Sequence, residues 1–318
     1  MRLFEIAFSA ALLAIGAFAQ SDDLVAGSDE SGAMKASEST DIEFVPAPSE
    51  YESLFDNLSF FAGLDGAKQP QDLGINANLG PRVAFNWGVP LLEEQGIGLQ
   101  FGVGYVAAQN AVAVLEAVDG TTGRDQLFST TGAFQKFDNG LNWSVAWDML
   151  NQNYYDNFFL SQVRGRLGWQ WDDDNEFGVW TALHTQDDAG FAGATAVQLR
   201  SLNQVNAFWR HRFETGAQTS IWAGAAESHS QVVYVFPGNG TSGMSPVIGA
   251  AINVPLNDWL SIYGESNLIL PGKSGTVDAF LGLSLYPSGS AKQSWSNRFS
   301  PLLPTAGSPS FSVDMRRL

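Results

Sequence analysis

GIGLQFGVGYVAA, residues 96–108, decides how the rest of this chain is read. Ile97, Leu99, Phe101, Val103, Tyr105 and Ala107 fall on one side of a period of two, and Gly98, Gln100, Gly102 and Gly104 on the other. Side chains of a β-strand point alternately to opposite faces, so this segment is a strand with one apolar face and one small, polar face. Comparable stretches recur and predict about twelve strands. They fall near 56–65, 73–89, 96–108, 126–137, 140–150, 158–171, 176–185, 197–213, 217–228, 246–254, 259–270 and 276–286.

The connections alternate in length. LLEEQ (91–95), DNG (138–140), DDDNE (172–176), ETGA (214–217) and LND (256–258) are tight, and 66–72, 109–125, 151–157, 186–196, 229–245 and 271–275 are longer. An even number of antiparallel strands with short turns on one rim and long loops on the other is the pattern of an outer-membrane barrel, whose closure leaves no free edge. In such a barrel the turns face the periplasm, and counting connections from the first strand puts both chain ends on that side.

Alternation by itself fits a β-sandwich or jelly roll equally well, because those folds also give each strand one apolar face. The polar face discriminates. A water-exposed sheet carries Lys, Glu and Thr there, whereas this chain has five lysines in all and places Asn142, Ser144 and Ala146, or Gly98, Gly102 and Gly104, on the polar side. Small residues suit a crowded, curved interior. Trp87, Tyr105, Trp169, Trp171, Trp209, Trp259, Tyr263 and Tyr286 lie near strand ends, where amphipathic rings favour the bilayer interface. The fold expected is all-β, a closed antiparallel up-and-down barrel in contact with outer-membrane lipids. The alternative is a secreted or cell-surface β-sandwich that binds carbohydrate or protein through exposed aromatics.

Residues 1–19 read as an export signal, with Arg2, an apolar run from Ile6 to Phe18, and small Ala17 and Ala19 before Gln20. Residues 20–52 hold nine carboxylates against Lys35 and show no apolar period, so they read as a disordered acidic leader. The barrel domain is assigned to 53–287. A Ser- and Pro-rich periplasmic tail follows over 288–318, whose Phe299, Leu302, Leu303 and Phe311 have the character of docking residues. The absence of cysteine removes disulfides, thiolate metal sites and a lipid-bearing cysteine. A net charge of −17 argues against a nucleic-acid partner.

Several phrases are familiar: QLFSTTGAFQKF (126–137), GLNWSVAWDML (140–150), EFGVW (176–180), DAFLGLSLYP (278–287) and RFSPLLPTAGSPSFSVD (298–314). Together they resemble a family of uncharacterised planctomycete exported proteins that is defined only as a domain of unknown function. The resemblance implies the barrel fold and an envelope location, and it brings no catalytic residue.

The residues with chemical potential are few. Arg164 and Arg166 lie opposite Val163, Leu167, Trp169 and Trp171, so both are expected to face the lumen, and Arg210 and Arg212 have the corresponding phase in NAFWRHRF. With Asp148, Glu265 and Asp278 they form either a transverse field that selects small solutes by charge or a set of structural ion pairs inside a plugged barrel. Asp172, Asp173, Asp174 and Glu176 could offer oxygens to Ca²⁺, but an acidic hairpin turn in water explains them better. His184, His211 and His229 lack metal-ligand spacing. His229 is flanked by Ser228 and Ser230, which raises a hydrolase as a third hypothesis with no orienting partner behind it. Asn239-Gly240-Thr241 matches a glycosylation triplet whose relevance requires a eukaryotic secretory route. The reading assigns no enzyme activity, cofactor or metal, and leaves the oligomeric state open.

Overall fold

In the computed structural model the described residues are 55–72, 77–111, 116, 120–227, 243–270, 276–294 and 296–318. The strands are β1 Leu58–Lys68, β2 Asn78–Leu92, β3 Ile97–Asn110, β4 Gly123–Lys136, β5 Leu141–Asn153, β6 Asn157–Gln170, β7 Asn175–Gln186, β8 Asp188–Ala192, β9 Thr195–Ser201, β10 Gln204–Arg212, β11 Gln218–Glu227, β12 Met244–Pro255, β13 Leu260–Ile269, β14 Thr276–Leu285 and β15 Val313–Arg317. Twelve of them form one closed antiparallel barrel, while β8, β9 and β15 make a separate small sheet in the order β15-β9-β8. Closure comes from β1 pairing with β14, from Phe60↔Leu285 to Lys68↔Val277. A single sheet joined to itself overturns the sandwich alternative, because among the described residues no second sheet covers the apolar face.

Sequence alternation explains which way each face turns. In β5, Val145 and Trp147 are exposed while Asn142, Ser144, Ala146 and Asp148 are buried. Around the ring Leu64, Val83, Val145, Leu167, Val179, Ile221, Ile248 and Leu281 are between 42 and 59 % exposed, and Asp65, Arg82, Gln100, Arg164, Asn206 and Asn267 are buried. This inverts the arrangement of a water-soluble domain, where buried charged residues are rare and need partners. Gly96, Gly140 and Gly216 take positive φ in the turns after β2, β4 and β10, a conformation that glycine adopts without steric cost and that short hairpins commonly need.

Two details differ from the sequence expectation. The predicted strand 197–213 is interrupted: β9 ends at Ser201 and belongs to the small sheet, and β10, starting at Gln204, is the barrel strand. The connection expected at 151–157 shrinks to residues 154–156, because β5 and β6 pair as far as Asn153↔Asn157.

A third difference concerns the chain's end. After β14 the tail is tied to the turn rim, where the Ala291 N–H donates to the Asp258 carbonyl. It then enters the barrel. Phe299, Leu302, Leu303, Ala306, Phe311, Val313 and Met315 are buried, and β15 pairs with β9 from Val313↔Ser201 to Arg317↔Val197. Because β8 and β9 lie in the connection from β7 to β10, on the loop rim, the chain finishes on the rim opposite the start of β1. The expectation that both ends share one side is corrected for the C-terminal segment: the run from Phe299 to Phe311, punctuated by prolines and ending in a short 3-10 helix at Ser308–Ser310, carries the chain from the turn rim to the apolar cluster on the loop side.

Candidate functional site: a lumen threaded by the C-terminal segment

Pro301 and Pro304 fix their own backbone angle and lack N–H donors, as does Pro309 in the short 3-10 helix Ser308–Ser310, so the threaded peptide presents mostly carbonyls. The barrel wall answers with donors. Gln100 Nε2 donates to the Leu303 carbonyl at 2.6 Å, and Asn86 Nδ2 reaches the same oxygen at 3.2 Å. Arg164 Nη2 donates to Pro304 O at 2.8 Å, Arg82 Nη2 to Ala306 O at 3.2 Å and Gln162 Nε2 to Ser310 O at 2.8 Å. In return the tail places Thr305 Oγ1 on Phe85 O at 2.7 Å and Ser308 Oγ on Asp65 at 3.0 Å. Close approach is possible because side chains are missing where the two surfaces meet. A Cβ on Gly102 would stand 2.2 Å from Thr305 Oγ1, and one on Gly307 would stand 1.7 Å from Arg82 Nη1.

Several of the inward-facing charges are paired with one another, and others take neutral partners. Arg164 forms a two-pronged interaction with Asp148, its Nη2 lying 2.9 Å from Oδ1 and its Nε on Oδ2. Arg166 Nη2 meets Glu176 at 2.7 Å, and Arg210 Nη1 approaches the other oxygen of Glu176 at 3.6 Å. Glu265 accepts from the Tyr263 hydroxyl at 3.2 Å. Asp278 lies apart from the arginines of β6 and accepts from Gln69 Nε2 at 2.9 Å. Arg212 shares the inward phase of β10, but it is the last residue of that strand, is partly exposed at the turn rim and makes no ion pair among the described residues. Two further buried pairs, Arg82 with Asp65 and Arg124 with Asp72, both at 3.4 Å, were not singled out from sequence. Their signal was available: each arginine occupies an inward position of an alternating strand, as Arg164 does.

Toward the loop rim the lumen is filled by an apolar cluster. Val106, Phe128, Leu150, Phe158 and Leu160 of the barrel meet Val197 and Leu199 of β9 and Phe311, Val313 and Met315 of the tail. Beside it Asp72 accepts from Asn78 Nδ2 at 2.6 Å and the Tyr154 hydroxyl at 3.0 Å. Toward the turn rim a cavity of about 250 Å³ remains, with Arg164, Arg166, Arg210, Tyr263 and Glu265 on its walls.

On the outside, Trp169, Trp171, Phe177 and Trp209 form a chain of ring contacts with centroids 6.1–6.5 Å apart at the turn rim. Trp87, stacked against Phe55 and tilted on Phe101, continues the belt. Tyr263 and Tyr286, by contrast, turn into the lumen. The acidic turn is organised internally: Asp172 Oδ1 accepts from the N–H groups of Asp174 and Asn175, and the Asp174 N–H first, then the Asn175 amide, hold the Asp172 carboxyl below its ordinary range. Among the described residues no three His, Asp or Glu side chains converge as metal ligands. His184 Nδ1 lies 3.3 Å from Ser201 Oγ, and His211 Nδ1 lies 3.0 Å from Asn175 Oδ1. Ser228, His229, Ser230 and the triplet 239–241 lie outside the described residues.

No curated protein matches this chain. Among solved structures it is similar to one described as "KdgM porin", with 10% identity over 71% of this chain and 98% of that one, at a TM-score of 0.39. It is similar to "NanC porin structure in rhombohedral crystal form", with 8% identity over 71% and 98%, at 0.41. The "Translocator domain of autotransporter NalP from Neisseria meningitidis" is matched with 11% identity over 72% and 87%, at 0.44. Residues 57–313 match a family described as "Family of unknown function (DUF6666)", and with most of its length matched, the chain belongs to that family.

Proposed function

We propose that this protein is an exported outer-membrane barrel whose lumen is closed by its own C-terminal segment, making it a structural component of the envelope instead of an open pore. The observation that carries this reading is the burial of residues from Phe299 to Met315 inside the barrel. Support for the membrane location comes from the apolar outward faces and the aromatic belt at one rim, which suit hydrocarbon and headgroup region respectively. Membrane lipids are then the first partners, the acidic leader is periplasmic, and solutes reach the cavity from the turn side. Arg82, Arg164 and Arg166 serve as internal ties for the tail.

The test has two parts. The protein is expected to fractionate with outer membranes, to resist alkaline extraction and to migrate differently on gels before and after heating. Reconstituted in planar bilayers the full chain is expected to stay silent. Stepwise currents from the full chain would favour a narrow pore, and release by salt would remove the membrane assignment altogether.

A further inference from the structure

We infer that the turn-side cavity binds a small organic anion, one that carries a carboxylate or phosphate group on a body with a flat face. The inference goes beyond the closed-barrel reading and does not depend on the membrane location. One end of the cavity gathers Lys136, Arg166 and Arg210 from β4, β6 and β10 around a single carboxylate, Glu176. The two guanidiniums of Arg166 and Arg210 outnumber the one carboxylate and give this end a positive potential, which low-dielectric walls focus; the Lys136 Nζ already donates to the Asn297 carbonyl at 2.7 Å.

The wall beside it differs in kind, since Phe208 shares β10 with Arg210 and pairs in register with Trp222 of β11. Trp180 and Trp222 meet edge to face at 6.0 Å, and Phe208 lies under the Arg166 guanidinium at 4.5 Å. Above them Gln218 and Asn253 are register partners on β11 and β12. Gln218 Nε2 and Asn253 Oδ1 are both shielded from solvent and lack a hydrogen-bond partner among the described residues. A polar atom buried in this way is costly unless something completes it. A donor and an acceptor side by side, next to aromatic rings and one arm's length from a cationic cluster, are the ingredients of a small-ligand pocket: apolar walls with a few convergent polar groups. The anionic group belongs against Arg210 and Lys136, where charge-assisted hydrogen bonds are strongest, the flat face against Trp222, and the remaining polar edge against Gln218 and Asn253. Asp56, Ser290 and Asn297, at the turn rim, also line the cavity.

Calorimetric titration of the full chain in detergent with phenyl phosphate tests this, with inorganic phosphate and phenol as the anion-only and ring-only probes. Saturable binding of phenyl phosphate is expected, tighter than that of phosphate, with none for phenol. Arg210→Gln is expected to weaken it about tenfold or more, and Gln218→Ala about threefold. No saturable binding of phenyl phosphate, equal binding of phenol, or an affinity unchanged in a heat-modifiable Arg210→Gln variant overturns the inference. Should that variant fail to fold, the unaltered chain decides: affinity that falls steeply toward ~0.5 M salt supports the site, and affinity indifferent to salt overturns it.

Discussion

The two halves of the barrel wall treat the lumen differently. Strands β1 to β6 grip the threaded peptide through Asp65, Arg82, Asn86, Gln100, Thr130, Gln162 and Arg164, whereas β10 to β13 face the cavity with Phe208, Arg210, Trp222, Asn253 and Glu265. Both halves obey the same alternation, so a polar inward face by itself does not say what it touches. The difference lies in size and pairing. Where the tail passes closest, the wall offers Gly102 beside the fixed donor Gln100; on the cavity side Phe208, Trp222 and the half-buried Arg210 and Asn253 take inward positions.

This contrast can be broken experimentally. The largest effect is expected from deleting residues 298–318, which removes the filler and leaves the gripping donors without acceptors: the truncated barrel should show stepwise conductance in planar bilayers and melt well below the full chain. Asp148→Ala comes next. It strands the buried Arg164, a change that typically costs about 3–5 kcal/mol, and urea unfolding in detergent measures it. Gly102→Val drives a branched side chain, its Cβ first, into Thr305, and overpacking of this type costs about 1–3 kcal/mol; the same denaturation should register it, with the tail more accessible to protease. On the cavity side Ser220→Ala removes only a hydroxyl that accepts from Arg210 Nε at 3.1 Å, and a shift within about 0.5 kcal/mol is expected. Equal losses for Gly102→Val and Ser220→Ala would erase the distinction between the halves.

The barrel was legible because its signal is local. GIGLQFGVGYVAA shows its two faces within thirteen residues, and the turn at Asp138-Asn139-Gly140 announces itself by composition. Arg164, Arg166 and Asp148 were placed inward by counting alone, and the structure seats them beside one another because β5 and β6 pair Ala146 with Arg164. The tail was not legible in the same way. Its period is broken by Pro301, Pro304 and Pro309, and its partners are residues such as Arg82 and Gln100, more than two hundred positions away. Nothing in a strand pattern reports a contact that distant. Phe299, Leu302, Leu303 and Phe311 did signal that the tail docks, but not where. The split of 197–213 into β9 and β10 failed for a related reason: β9 alternates as well as any barrel strand, and only β15, at the far end of the chain, tells it which sheet to join.

Threading gives this molecule a fixed order of completion. The seam between β1 and β14 joins segments translated far apart, and the peptide that occupies the interior is made after both. Contacts of such sequence separation form slowly, since the closure entropy comes before the reward. The segment from Phe299 onward therefore acts as a latch: a copy cut short before Phe299 can pair its twelve strands yet lacks the peptide that fastens the two rims together.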